Sequence, residues 1–151
     1  MTYRLILFLI LNFAALGIGG LFTGKGVSSE WYATLQKAPW TPPGWVFGAA
    51  WTTIMVCLAC YMSMAWSKTE NLSLLLGLYA LQWVLNVAWN PVFFYFHQTL
   101  AGLLIIGLLT ALLGFMLLHY RSLGPVNLLI LPYFLWLCIA TSLNAYILVK
   151  N

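Results

Sequence analysis

The sequence predicts an all-α integral membrane protein, a single-domain bundle of five transmembrane helices. Of its 151 residues, 64% are hydrophobic and only 5% are charged. So few charges cannot cover the surface of a water-soluble domain of this length. Five apolar stretches also each approach or exceed the roughly 20 residues that cross the hydrocarbon core of a bilayer. Because every backbone polar group in lipid must be paired within its own segment, these stretches are expected to be helices.

The five predicted helices are separated by one long connection and three short ones. The first stretch has an alternative interpretation as a signal peptide, since it follows Arg4 and ends among small residues. Short connections predict antiparallel neighbours among the later helices. The predicted helices are 5–22, 46–66, 72–96, 99–118 and 127–149, with a loop at 23–45, all within one domain at 1–151.

The long connection has an unusual composition for a loop. Between residues 31 and 43 it holds two tryptophans, a tyrosine and three prolines, whereas solvated loops are rich in Ser, Asn, Asp and Gly. Proline restricts φ and removes a backbone donor, so this segment can keep a defined shape with few hydrogen bonds. We therefore expect a rigid aromatic lid over one end of the bundle. The alternative is an interfacial belt, in which Trp and Tyr lie among lipid headgroups.

Polar side chains within the predicted helices are the second unusual feature. They share one face with aromatic or small residues on the third and fifth helices: Gln82, Asn86, Trp89, Asn90 and Phe93, and then Trp136, Ala140 and Asn144. Amides in a membrane either hold helices together by hydrogen bonds or line a functional site. The aromatic rings on the same faces favour a pocket for a flat, mostly apolar ligand.

Several other functions find no support in the composition. The six basic residues are scattered along the chain, so nucleic-acid binding is not indicated. His97 and His119 lack neighbouring Cys or carboxylate partners, so no metal site is predicted. Glu30 and Glu70 are expected outside the bilayer core, and no catalytic triad or phosphate loop is present. Lysine and arginine divide equally between the two sides of the membrane, which leaves the orientation open.

Three motifs cover most of the chain. The loop reads Trp-Tyr-x-x-Leu-x-Lys from residue 31, followed by Pro39, Trp40 and a Pro-Pro pair at 42–43. The third helix reads Gln-x-x-x-Asn-x-x-Trp-x-x-x-Phe-Phe over 82–94, and the fifth reads Pro-Tyr-x-x-Trp-x-x-x-Ala-x-x-Leu-Asn over 132–144. In this order they resemble the TspO/MBR family, the tryptophan-rich sensory protein and translocator protein family, also called the peripheral benzodiazepine receptor family. The family usually has Lys-Pro-x-Trp where this chain shifts the first proline by one position.

The resemblance implies a five-helix bundle that forms a homodimer in the lipid bilayer. It also implies that porphyrins such as protoporphyrin IX and haem are ligands or substrates, with no tightly bound cofactor. Synthetic isoquinoline and benzodiazepine-type molecules are further ligands of the family. Matched to the family motifs, a pocket beneath the first loop would be lined by Tyr32, Pro42, Phe47, Trp51, Asn86, Trp89, Phe93, Trp136, Ala140 and Leu143.

Some family members bind cholesterol through a loose motif near the C-terminus. Leu143, Tyr146 and Lys150 match it here, but such patterns are weak evidence for a sterol site. We expect this protein in a bacterial cell membrane, where sterol is mostly lacking, so cholesterol is not the expected ligand.

Three functional hypotheses follow. The first is a tetrapyrrole sensor or regulator. The second is an enzyme that degrades protoporphyrin IX in light, for which the resemblance implies Trp51 and Trp136 as the reactive residues. The third is a transporter of porphyrin or another lipophile, although no inverted repeat is visible and five spans cannot divide into equal halves.

Overall fold

The structure, a computed structural model, describes residues 2–151. Five of its helices are long and apolar enough to cross a membrane, which confirms the predicted all-α class with five spans. The helices are α1 at Thr2–Val27, the short α2 at Glu30–Thr34, α3 at Gly44–Ala65, α4 at Leu72–Asn90, α5 at Thr99–His119 and α6 at Leu131–Lys150. A π-helical segment at Pro91–Tyr95 follows α4, and a 3-10 segment at Arg121–Ile130 precedes α6. We call residues 28–43, between α1 and α3, the lid.

The five long helices form a closed ring. α1 packs between α3 and α4, α4 packs on α5, and α5 packs on α6. α3 closes the ring against α6 and the 3-10 segment. The prediction that short connections join neighbouring helices is therefore correct for α4–α5 and α5–α6 but wrong for α3 and α4, because α1 lies between those two.

A buried asparagine explains why α1 occupies that place. The Asn12 side-chain Nδ2 donates to the Met55 carbonyl of α3 at 2.9 Å. Its Oδ1 accepts from the Tyr79 hydroxyl of α4 at 2.8 Å. An amide in a membrane interior is stable only with such partners, so Asn12 favours an α1 that contacts both helices at once.

The hydrophobic core is concentrated in the half of the bundle away from the lid. Side chains there are essentially inaccessible, including Leu58 and Met62 on α3, Leu75 on α4, Leu113 on α5 and Leu137 on α6. Close packing in this half makes it a rigid base. The half below the lid has fewer fully buried side chains, and the candidate site lies there.

The first helix continues to Val27, beyond the predicted end at residue 22. Two of its glycines, Gly19 and Gly26, lie at close contacts with other parts of the bundle. A Cβ added to Gly19 would lie 2.6 Å from Asn90 Nδ2, and one added to Gly26 would collide with the Phe94 ring. Because glycine has no side chain, α1 can approach α4 and the π-helical segment this closely.

Two other predicted helices change their geometry along their length. The predicted helix at 72–96 stays α-helical only to Asn90, because Pro91 has no N–H to donate and a π-helical segment follows. The predicted helix at 127–149 becomes α-helical only at Leu131. The 3-10 segment before it bends at Gly124, whose φ of 60° lies in the left-handed region that favours glycine.

Candidate ligand-binding site

A cavity of about 610 Å³ lies in the lid half of the bundle, within the roughly 300–1,000 Å³ usual for small-molecule sites. The lid contributes Tyr32, Thr41 and Pro42 to its wall. The helices contribute mainly small and aromatic side chains. These are Ala15, Leu16, Gly19, Gly20, Thr23 and Val27 of α1; Gly44, Phe47, Gly48, Trp51 and Thr52 of α3; Asn86, Trp89 and Asn90 of α4; Phe94 of the π-helical segment; Ile106 of α5; and Trp136 and Ala140 of α6. The site is therefore a deep, largely apolar chamber with a few polar groups.

A smaller chamber of about 60 Å³ adjoins the cavity. The two share six lining residues: Tyr32, Thr41, Phe47, Trp89, Phe94 and Ala140. The smaller chamber is bounded in addition by Lys37, Phe93, Leu143, Asn144 and Ile147. It extends the site under the lid towards the end of α6.

Eight of the ten pocket residues predicted from the motifs line the larger cavity: Tyr32, Pro42, Phe47, Trp51, Asn86, Trp89, Trp136 and Ala140. The other two, Phe93 and Leu143, line only the smaller chamber. Phe93 lies in the π-helical segment, and its ring stacks on that of Trp89 with centroids 5.2 Å apart, whereas Trp89 lines both chambers. Leu143 lies about one helical turn nearer the lid than Ala140.

The wall formed by α1 was not among the predicted parts of the site. Ala15, Gly19 and Thr23 recur every four residues and share one face. Small residues at this spacing suit close contact between helices, and Gly19 does make such a contact with Asn90. The same lack of side-chain volume also leaves space for the cavity.

The tryptophans of α3, α4 and α6 differ in how their indole N–H groups are used. Trp83 donates to a backbone carbonyl of α1 at 2.9 Å, and Trp89 donates to Asn144 Oδ1 at 3.1 Å. Trp51 and Trp136 line the cavity, and within residues 2–151 their N–H groups donate to no other residue. Trp51 and Trp136 therefore offer two donors to a molecule in the cavity, whereas Trp83 and Trp89 hold helices together.

The amides of α4 divide in the same way. Gln82 accepts from the Tyr133 hydroxyl at 3.2 Å, and Asn90 accepts from the Thr23 hydroxyl at 2.6 Å. Both bonds link helices, as the interhelical interpretation predicted. Asn86 lines the cavity, and its side chain makes no hydrogen bond within the described residues 2–151. It is the amide of α4 that is available to orient a ligand.

Trp31 attaches the lid to the end of α4. Its ring stacks on His97 with centroids 4.1 Å apart and planes 14° from parallel, and it meets Phe93 edge-on at 5.6 Å. His97 has a φ of 55°, an uncommon backbone conformation for a residue other than glycine. This conformation brings the imidazole under the indole.

The other end of the lid is attached to α6. Trp40 Nε1 donates to the Ser142 hydroxyl at 3.1 Å, and the Trp40 ring packs edge-on against Tyr146 at 5.3 Å. The shifted proline, Pro39, lies in a turn closed by the Thr41 N–H donating to the Ala38 carbonyl at 3.0 Å, and proline suits the second position of such a turn. The lid interpretation accounts for these contacts. Trp45, which is 75% exposed, has the position expected of an interfacial belt residue.

Replacing Trp31 with alanine should loosen the lid, because the His97 and Phe93 ring contacts are both lost. We expect limited proteolysis in nanodiscs to cut residues 28–43 at least several times faster in Trp31→Ala than in the unmodified protein. Trp45→Ala, which removes an exposed ring at the same end of the bundle, is the matched control and should leave the rate unchanged. Equal rates for Trp31→Ala and Trp45→Ala would show that the stack does not restrain the lid.

These features define a class of protein: a five-span membrane bundle with an aromatic-lined cavity beneath an ordered lid. The sequence model of the TspO/MBR family matches residues 6–150. The chain therefore belongs to the TspO/MBR family, as its motifs predicted, and is a multi-pass integral membrane protein.

Similar proteins come from bacteria, archaea and mammals. The tryptophan-rich protein TspO of Chlorobaculum tepidum is 36% identical over 139 residues, which are 88% of this chain and 86% of that protein. The translocator protein of Bos taurus is 37% identical over 134 residues, 84% of this chain and 78% of its own length. The tryptophan-rich protein TspO of Archaeoglobus fulgidus is 35% identical over 146 residues, 94% of each chain. The similarity thus extends over both the lid and all five spans.

Proposed function

We propose that this protein binds tetrapyrroles, namely protoporphyrin IX and haem, in the cavity and acts as a tetrapyrrole sensor or regulator in a bacterial cell membrane. The observation that carries the proposal is the cavity wall. It combines the rings of Tyr32, Phe47, Trp51, Trp89 and Trp136 with few polar groups. Aromatic rings favour offset or edge contacts with another ring system, so this wall suits a flat macrocycle. The Asn86 amide and the two free indole N–H groups would orient it.

Binding is proposed to depend on shape rather than on ligation of iron. Proteins hold haem iron through His, Cys, Met or Tyr, and within residues 2–151 no His, Cys or Met side chain lines either chamber. Tyr32 does line both, but burial raises the pKa of its phenol above the usual value. That shift disfavours the phenolate that iron would require. The residues present therefore fit a porphyrin held by its ring faces, with or without a metal.

Metal-free protoporphyrin IX and haem should consequently bind with similar affinity. We expect dissociation constants within about tenfold of each other, because a direct iron ligand would add more than the roughly 1.4 kcal/mol that this factor represents. Absorbance titration of the protein in nanodiscs under dim light, with empty nanodiscs as the blank, measures both constants. Saturable binding of neither compound would refute the proposal, and binding of haem alone would refute the role of shape.

A second candidate function is favoured by the position of two tryptophans. Trp51 and Trp136 both line the cavity, so a porphyrin bound there would lie against oxidisable indole rings. Light would excite the porphyrin, an indole would transfer one electron to it, and the porphyrin would pass that electron to dioxygen from solution, which leaves superoxide and an indole radical cation. The porphyrin would then give one electron back to the indole, and the resulting porphyrin radical cation would combine with superoxide. Overall the indole is restored, the porphyrin is oxidised and opened, and dioxygen is reduced and supplies the oxygen atoms. Transport of porphyrin or another lipophile stays a prediction made from the sequence. Porphyrin flux across sealed vesicles that contain the protein is its test.

We also propose that the protein is a homodimer, with α4 at the interface. Small residues on α5, namely Gly107, Ala111 and Gly114, offer a second possible interface, but Gly114 already packs on Phe134 of its own chain, at 3.2 Å from an added Cβ. On α4, Gly77 and Ala80 face outwards, and among residues 2–151 nothing lies within 4 Å of a Cβ added to Gly77. Small outward residues allow two helices to approach closely in lipid. Native mass spectrometry from nanodiscs should give a dimer mass, and a monomer at all protein concentrations would contradict it.

A further inference from the structure

Within the part of the chain that the structure describes, Lys37 is the one lysine that is not exposed. Lys25, Lys68 and Lys150 are all exposed, whereas Lys37 is half-buried and lines the smaller chamber. A lysine at a membrane surface usually extends its ammonium group into water or among headgroups. The inward position of Lys37 therefore suggests a role that the exposed lysines do not have.

The ammonium group of Lys37 has no anionic partner in the protein. Its Nζ lies 4.5 Å from the centroid of the Tyr32 ring, and within residues 2–151 it forms no ion pair with a carboxylate. The whole chain has only two acidic side chains against six basic ones. The Tyr32 ring attracts the charge from one side but accepts no conventional hydrogen bond, so the N–H donors remain available.

The other polar groups around this chamber differ from Lys37 in having partners. The Thr41 hydroxyl donates to the Ala38 carbonyl at 2.7 Å. The Asn144 side chain accepts from Trp89 at 3.1 Å and donates to the Thr99 carbonyl at 3.0 Å. Besides Lys37, the Tyr32 hydroxyl is the polar group here without a hydrogen bond in residues 2–151. An anion entering the chamber would therefore meet an ammonium and a phenol, with no carboxylate to repel it.

The smaller chamber also has a suitable size and place. Its volume of about 60 Å³ exceeds the roughly 10–15 Å³ that one water molecule needs by the same measure, so a carboxylate group and part of its aliphatic stem can enter. It shares six wall residues with the larger cavity. A macrocycle in the larger cavity could thus extend a short side chain into it.

We propose that Lys37 is a ligand-binding residue and that the smaller chamber is a subsite for the carboxylate side chain of a tetrapyrrole. The proposal rests on the proposed function and adds to it the chemical class of the ligand: a tetrapyrrole acid rather than a neutral macrocycle. Hydrogen bonds to charged groups are about twice as strong as those between neutral groups. Lys37 would therefore select the carboxylic acid form and set the edge of the ring that lies beneath the lid.

The test compares protoporphyrin IX with its dimethyl ester, which keeps the ring and has no carboxylate. Both are titrated against wild type, Lys37→Gln, Lys37→Arg and Lys150→Gln in nanodiscs of zwitterionic lipid, with empty nanodiscs subtracted. Lys150→Gln is the matched control, because Lys150 also lies near a tyrosine ring, at 6.0 Å from Tyr146, but lines neither chamber. The measured quantity is the ratio of the affinity for the acid to the affinity for the ester. The two compounds differ in how they partition into lipid, but this difference is the same for every variant and cancels when the ratios are compared.

We expect Lys37→Gln to lower the acid-to-ester ratio at least about tenfold relative to wild type. The ester affinity itself should stay unchanged, which also shows that the variant is folded. Lys37→Arg and Lys150→Gln should keep the wild-type ratio. An equal ratio in wild type and Lys37→Gln would overturn the carboxylate subsite while leaving porphyrin binding intact. Failure of both compounds to bind wild type above empty nanodiscs would instead overturn the proposed function itself.

Discussion

Replacing both Trp51 and Trp136 with phenylalanine should abolish light-driven loss of bound protoporphyrin IX while preserving its binding. An aromatic pair contributes only about 0.5–1.5 kcal/mol beyond burial, and phenylalanine retains a ring. Each single substitution should therefore weaken binding by less than about tenfold. Electron transfer responds differently, because phenylalanine is a much poorer electron donor than indole. Each single variant should slow the loss severely, and the double variant should stop it.

The measurement is the decay of the Soret band under constant illumination at saturating protein, in the presence and absence of dioxygen. Trp45→Phe is the matched control, since Trp45 is 75% exposed and lines neither chamber. It should bleach porphyrin at the wild-type rate. If the double variant also bleaches at that rate, the enzymatic function fails and the sensor function remains. Complete loss of binding in both single variants would show that the two indoles are needed to form the binding site itself and have no separate photochemical role.

A large side chain at the wall that the two chambers share should weaken ligand binding more than either single tryptophan substitution does. Ala140 on α6 lines both chambers, so the ring of an Ala140→Phe variant would occupy the space between them. We expect the affinity for protoporphyrin IX to fall by at least about tenfold, and the smaller substitution Ala140→Thr should have a weaker effect in the same direction. Adding bulk to a packed core typically lowers the free energy of unfolding by about 1–3 kcal/mol. The empty volume on both sides of Ala140 should make this loss of stability smaller.

Ala14→Phe provides the control for this experiment, because Ala14 is an exposed residue of α1 that lines neither chamber. It should bind protoporphyrin IX as the unmodified protein does. Thermal unfolding of both variants in the same detergent separates a blocked site from a damaged bundle. Wild-type affinity in a folded Ala140→Phe variant would mean that the ligand binds elsewhere.

The parts of the site that lie on regular helices were predictable from the sequence. Trp89 and Asn86, and likewise Trp136 and Ala140, are three or four residues apart, and that spacing places each pair on one helical face whatever the rest of the fold does. The lid composition likewise indicated a packed segment. These predictions needed only local periodicity and the matched motifs.

The unpredicted parts depend on contacts between residues far apart in the chain. The position of α1 between α3 and α4 depends on Asn12, whose partners Met55 and Tyr79 are 43 and 67 residues away. The Trp31–His97 stack requires a left-handed backbone at His97, a conformation that only a few per cent of residues other than glycine adopt. A proline such as Pro91 signals a disturbed helix, but the resulting π-helical geometry depends on packing around it.

The most direct test of the central claim is a structure of the protein with protoporphyrin IX, determined in lipid by crystallography or electron microscopy. We predict macrocycle density beneath Tyr32 and Pro42, in contact with Trp51, Trp89 and Trp136. Density on the outer, lipid-facing surface of the bundle, with the cavity beneath the lid free of porphyrin, would contradict the account.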